Sequence, residues 1–119
     1  MEATIMAVDD DPAVRRLACA ILKREGFRTL EAGSGAETLE MLKTESPDLI
    51  LLDIIMPDMD GFEVCRAIRE NPRTADIPVI MLSCVSDQVH DSTAKADDYM
   101  PKPFAPDDLI AKVEALLNP

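Results

Sequence analysis

Five short apolar runs, separated by segments of helical period, leave this chain few architectures to adopt. The runs are Thr4 to Val8, Phe27 to Ala32, Asp48 to Leu52, Ile77 to Leu82 and Asp98 to Met100. Strands that alternate with helices in this way form a parallel sheet with helices on both faces. The first, third and fourth runs are almost unbroken hydrophobes, as strands covered on both sides must be, so they belong in the middle. The second alternates Phe27, Thr29 and Glu31 against Arg28, Leu30 and Ala32, and the fifth runs into Pro101, which has no N–H to give to a central ladder. Both read as edge strands.

Two edges and three central strands suit a flavodoxin-like, doubly wound α/β sheet of five strands, with the order 2-1-3-4-5 taken by fold analogy. The helices follow from their caps and stripes. Asp11 is a candidate N-cap with Pro12 at the first helical position, and Val14, Leu17, Ala18, Ile21 and Leu22 make an apolar stripe that Gly26 terminates. Ser34 caps a second helix carrying Leu39 and Leu42. Phe62, Cys65 and Ile68 stripe a third that stops before Asn71-Pro72. The last helix starts near Pro106 behind Ala105, a poor cap, and buries Leu109, Ile110, Val113, Leu116 and Leu117. Between Ser86 and Ala96 the pattern weakens, so the fourth helix is expected to be short or irregular. No linker or repeat interrupts residues 1–119, which are expected to form one domain.

Composition limits the partners. Hydrophobic residues are 47 % of the chain but aromatics only 3 %, so the core must be aliphatic and Met-rich. A net charge of -11 argues against direct contact with nucleic acid or an anionic membrane, because such surfaces repel it. The apolar runs are too short to span a bilayer and the N-terminus lacks a basic-then-apolar leader, so a cytoplasmic location is expected. Cys19, Cys65 and Cys84 are odd in number and widely spaced among apolar neighbours, the pattern of reduced, mostly buried thiols.

In a sheet of this kind ligands bind beyond the carboxyl ends of the strands, near the point where strand order reverses. Asp9, Asp10 and Asp11 follow the first run, Asp53 the third, Ser83 the fourth, and Lys102 lies just past the fifth. Carboxylates converging there raise one another's pKa unless a cation sits among them. A site of oxygen ligands without His or Cys selects a hard ion such as Mg²⁺, with Mn²⁺ as an alternative. A carboxylate can also act as a nucleophile in aspartyl-phosphate chemistry, and a lysine and a hydroxyl nearby would stabilise the transferring phosphoryl group. Plainer readings stand beside these: Asp11 as a helix cap, Asp58 and Asp60 as polar loop residues, Tyr99 as a half-buried edge-strand tyrosine and His90 as a solvated side chain.

The stretches IMAVDDDPAVR from Ile5, LLDIIMPDMDG from Leu51, PVIMLSC from Pro78 and DDYMPKPF from Asp97 together resemble the receiver (CheY-like) domain of two-component response regulators, in the right order and over nearly the whole chain. The resemblance implies that Asp53 is the phospho-acceptor and that Mg²⁺ is bound by Asp9, Asp10, Asp53 and the backbone carbonyl of Ile55. It implies that Lys102 binds the phosphoryl group, that Ser83 and Tyr99 are the switch residues, and that the Lys102-Pro103 peptide is cis.

The implied activity is a phosphorelay switch rather than substrate turnover. Asp53 takes a phosphoryl group from a sensor histidine kinase, a phosphotransfer protein or a small acyl phosphate, and the domain hydrolyses it slowly. The surface of the fourth helix, fifth strand and last helix then repacks to engage a downstream effector protein or fused output domain, as a monomer or a weak phosphorylation-dependent dimer. Three features depart from the family pattern. The Ser83–Tyr99 segment is short, with Ala94-Lys95-Ala96 in place of a glycine-containing turn. Cys84 replaces a small residue, and Pro101 precedes Lys102. Apolar Ile55 and Val85, beside the path of an attacking water, predict slow self-dephosphorylation. Two rivals remain: an interaction module that keeps the fold without phosphorylation, and a Mg²⁺-dependent phosphohydrolase, which wants an acid where Ile55 stands.

Overall fold

The computed structural model describes residues 3–83 and 94–118. Its strands are β1 (Thr4–Val8), β2 (Arg28–Ala32), β3 (Leu49–Asp53), β4 (Val79–Ser83) and β5 (Asp98–Pro101). They form one parallel sheet in the order β2-β1-β3-β4-β5, so the expected order and both expected edges are observed. The short helix expected between Ser86 and Ala96, and the expectations for Cys84, Val85 and His90, fall almost entirely on residues outside those described.

The sheet divides the core into two layers by simple alternation. Met6, Val8, Ile50, Leu52, Val79 and Met81 face α2 (Gly35–Met41) and α3 (Gly61–Glu70). Ile5, Leu49, Leu51, Ile80, Leu82 and Met100 face α1 (Pro12–Arg24) and α4 (Pro106–Leu117). Because neighbours on both faces are covered, β3 and β4 are buried along their whole lengths. Each fully buried Leu or Ile contributes about 2 kcal/mol of transfer free energy.

The caps that end the helices explain where the strand-end loops begin. Asp11 accepts from the Ala13 N–H at 2.9 Å with Pro12 at the first helical position. Gly26 closes the helix-to-β2 turn at φ +92°, a conformation that favours glycine. Ser34 Oγ accepts from the Glu37 N–H at 3.0 Å. Ala105 makes no side-chain cap bond, and Asp107 and Asp108 in the first turn supply the negative charge that favours a helix N-terminus.

Two expectations need correction. Leu17 does not belong to the buried stripe of α1: it is 53 % exposed, because the helix is rotated so that Ala18, Cys19, Ile21 and Leu22 face inward. In α4 only Leu109 and Val113 are buried, while Ile110, Leu116 and Leu117 pack at the margin of the layer. Cys19 and Cys65 are buried free thiols, each with its pKa raised chiefly by desolvation.

Candidate functional site

The pairing of Val8 with Leu52 sets Asp9 and Asp53 level with one another at the carboxyl ends of adjacent strands. Lys102 follows β5, with its N–H on the Ser83 carbonyl at 2.8 Å, and reaches back across the sheet ends. Its Nζ lies 3.0 Å from Asp9 Oδ2 and 3.2 Å from Asp53 Oδ1. Carboxylate oxygens of Asp9, Asp10 and Asp53 all lie within 4.8 Å of one another. Asp9 and Asp53 are buried and Asp10 is exposed, so the cluster opens to solvent through Asp10.

Asp9 is fixed at every polar atom. Its N–H donates to the Ala32 carbonyl at 3.2 Å, Oδ1 accepts from the Asp11 N–H at 2.9 Å, Oδ2 accepts from Lys102, and its carbonyl accepts from an Arg15 guanidinium N–H at 2.8 Å. Asp53 sits in a harsher setting. Desolvation first, and the Asp9 charge second, push its pKa up to about 6 despite the opposing Lys102 ammonium. Desolvation alone would lower the pKa of Lys102, yet its hydrogen bond to Asp9 and the charge of Asp53 leave it raised. The cluster therefore carries more negative charge than one lysine neutralises. Three carboxylates, without His or Cys, are a donor set that fits a hard divalent cation.

The other sequence-predicted residues lie around this cluster at different distances. Ser83 ends β4, buried, one register step beyond the Asp53–Leu82 pair. Tyr99 pairs with Met81 and packs, partly buried, on the α2/α3 layer, so it is not part of the acidic cluster. Ile55, just beyond β3, is 54 % exposed. The Lys102-Pro103 peptide is cis. Asp11 caps α1, and Asp58 and Asp60 lie outside the cluster of possible ligands found among the described residues.

Asp58 and Asp60 nevertheless do more than solvate a loop. Asp60 and Glu63 form a reciprocal capping box on α3, and their three-residue spacing was a legible signal for it. Asp58 accepts from the Gly35 and Ala36 N–H groups at 3.2 and 2.9 Å, tying the loop after β3 to the start of α2. Those backbone bonds, from Ala36 above all, hold its carboxyl below the ordinary aspartate range. No local pattern announces that contact, because the partners are distant in sequence, nor the one from Arg15, because it reaches a main-chain carbonyl that any residue would offer.

Comparison with known proteins turns this geometry into a family assignment. The family described as the response regulator receiver domain matches residues 5–114. The chain belongs to the response regulator receiver domains. Response regulator MprA of Mycobacterium leprae is 44 % identical over 117 residues, covering 96 % of the chain and 50 % of that protein. The DNA-binding dual master transcriptional regulator RpaA of Synechocystis is 40 % identical, with 96 % and 48 % covered. This receiver domain thus spans about half the length of the curated relatives it matches. Among solved structures, the chemotaxis response regulator CheY4 of Vibrio cholerae superposes with a TM-score of 0.92 at 28 % identity, covering 98 % of this chain and 100 % of that one. The response regulator TrrA of Thermotoga maritima, in complex with Mg²⁺-BeF, gives 0.88 at 36 % identity, with 98 % and 100 % covered. The fold and the two-component family expected from the sequence are those found. Among the described residues no helix is long and apolar enough to cross a membrane.

Proposed function

We propose that this receiver domain, one domain over residues 1–119, is a switch that accepts a phosphoryl group on Asp53. The observation that carries the reading is the placement of Asp53: a buried carboxylate 3.2 Å from Lys102 Nζ, level with Asp9, at the mouth of the sheet. Asp53 Oδ attacks the phosphorus of a phosphohistidine or small acyl phosphate, the bond from phosphorus to the donor atom breaks, and the leaving group departs with that electron pair. Lys102 pairs with the phosphoryl oxygens as negative charge gathers on them. Asp9, Asp10, Asp53 and the Ile55 carbonyl would hold Mg²⁺ or Mn²⁺, which supplies charge neutralisation for the incoming phosphate.

After transfer, Ser83 donates its hydroxyl to the new phosphoryl group and Tyr99 repacks on the α2/α3 side, shifting the population toward a second arrangement of the β5–α4 surface. The domain works in the cytoplasm, with a sensor histidine kinase or phosphotransfer protein as its partner on the input side. An effector protein or fused output domain lies on the other side, and the relatives of twice this length supply the precedent for fusion. Contact with DNA is assigned to such an output region rather than to this acidic surface. The phosphoryl group is then lost slowly, since Ile55 puts an exposed apolar side chain beside the path of the attacking water.

Intact mass after incubation with acetyl phosphate and Mg²⁺ tests the reading. One added phosphoryl group, absent with EDTA, is expected. No adduct under any divalent-ion condition favours an interaction module that keeps the fold without phosphorylation. Slow hydrolysis is checked by the decay of the labelled protein, which Ile55→Asn should accelerate; equal decay contradicts it.

A further inference from the structure

Asp10 is the only exposed carboxylate of the cluster, and the direction in which it leaves the chain is set by the Asp9–Asp10 peptide plane. The oxygen of that peptide is the acceptor for an Arg15 guanidinium N–H at 2.8 Å. Arg15 is itself braced: its Nε donates to Glu31 Oε1 at 2.9 Å, and its side chain is only 19 % exposed. The guanidinium also lies against Gly33, where an added Cβ would stand 3.3 Å from an Arg15 terminal nitrogen, tighter than ordinary contact. One planar side chain on α1 thus joins the end of β1, the end of β2 and the turn before α2.

We propose that Arg15 is a positioning residue for divalent-cation binding: braced by Glu31, it holds the Asp9 carbonyl and so fixes the direction in which Asp10 is presented. The inference rests on the reading above of Asp9, Asp10 and Asp53 as the cation site. It works against simple electrostatics, because a guanidinium beside three carboxylates repels a divalent cation. Deleting the charge alone would tighten cation binding, whereas deleting the brace weakens it. The two effects have opposite signs, so a binding measurement separates them.

The experiment titrates Mn²⁺ into the whole chain and follows free Mn²⁺ by electron paramagnetic resonance, with no phosphodonor present. Arg15→Ala should raise the dissociation constant about tenfold, the usual scale for partners that orient a ligand. Arg15→Lys keeps the charge without the two-sided fork and should also weaken binding, because the repulsion stays while the brace is lost. Arg16→Ala removes an exposed neighbouring charge that makes no such bond and should leave binding unchanged or slightly tighter. Glu31→Asp keeps the negative charge but shortens the brace, and should weaken binding in the same direction as Arg15→Ala, which keeps the test decisive if Arg15→Ala does not fold. Affinity equal to or tighter than wild type in Arg15→Ala, or in Glu31→Asp if Arg15→Ala does not fold, overturns the positioning role while sparing the proposed function. Absence of Mn²⁺ binding by the wild type overturns both.

Discussion

The acidic cluster and the return segment before β5, the two ends of the proposed signalling route, are built in opposite ways. At the cluster, burial and like charge both disfavour the ionised carboxylate: Asp53 is desolvated beside Asp9, and one lysine bridges both. Around it the backbone is over-determined, with Asp9 held at four atoms and the Gly61 N–H on the Ile54 carbonyl at 2.7 Å. Residues 94–98 carry no such charge conflict. They are held to α3 by one arginine, with Arg69 donating to the carbonyls of Lys95, Ala75 and Ile77 and to Asp97 Oδ2. The Cys65 thiol adds a bond to the Ala94 carbonyl. The contrast teaches that this domain crowds like charges where the chemistry is proposed, and ties the segment before β5 with main-chain bonds and opposite charge, Asp97 also exchanging bonds with the Val79 main chain at 2.8 and 2.9 Å.

The largest expected effect comes from the backbone at the cluster. A Cβ on Gly61 would collide with the Asp53 carbonyl and approach Ile54 Cα at 2.9 Å, and main chain cannot rotate aside. Gly61→Ala should destabilise by about 3 kcal/mol in urea unfolding. A change below about 1 kcal/mol would show that the loop after β3 is softer than the contrast requires.

Next is the charge conflict itself. The folded pKa of Asp53, about 6, lies above its ordinary 3.8, so the folded state holds a proton that the unfolded chain has released between those values. The contribution is therefore fully present below pH ~4 and is lost as pH rises through ~6. In EDTA at pH 7.5, Asp53→Asn should stabilise the domain by on the order of 2 kcal/mol, and its stability should fall less between pH 4.5 and 7 than that of wild type. Equal slopes would remove the charge conflict from the comparison.

Arg69→Ala probes the other region. Losing donors to three carbonyls and an ion pair that is 14 % exposed on the arginine side should cost about 1–2 kcal/mol. It should also raise hydrogen exchange at residues 95–97 while leaving β1 and β3 protected. Uniform loss of protection would mean that the segment is not a separate unit. The smallest effect concerns Lys95, a non-glycine residue at φ +58°. Lys95→Gly should stabilise by about 0.5–1 kcal/mol, since glycine adopts that conformation freely. No gain in thermal midpoint would contradict it.

How much of this was legible depends on how local its cause is. The unbroken runs of β1, β3 and β4, the Asp11 and Ser34 caps and the Gly26 turn are written in neighbouring residues, and the structure has them all. Asp9, Asp10, Asp53 and Lys102 converge because the strand-end rule and the family resemblance both point there. The exposure of Leu17 was not legible, because helix rotation is decided by what packs against it. The Arg15, Asp58 and Arg69 contacts were hidden for a related reason: each joins segments separated by 16 or more residues or reaches main-chain carbonyls that any sequence would offer. Lys95 takes up the geometry that a glycine was expected to supply, and the deviation was visible while its resolution was not.

The proposed switch requires that Asp53, and no other carboxylate of the crowded cluster, receives the phosphoryl group. The direct measurement is to phosphorylate the chain with acetyl phosphate and Mg²⁺, trap the acyl phosphate by borohydride reduction, and sequence the peptides by mass spectrometry. Homoserine is expected at position 53, with no reduced residue in Asp53→Asn. Homoserine at position 9 or 10, or a reduced residue that persists in Asp53→Asn, would contradict it.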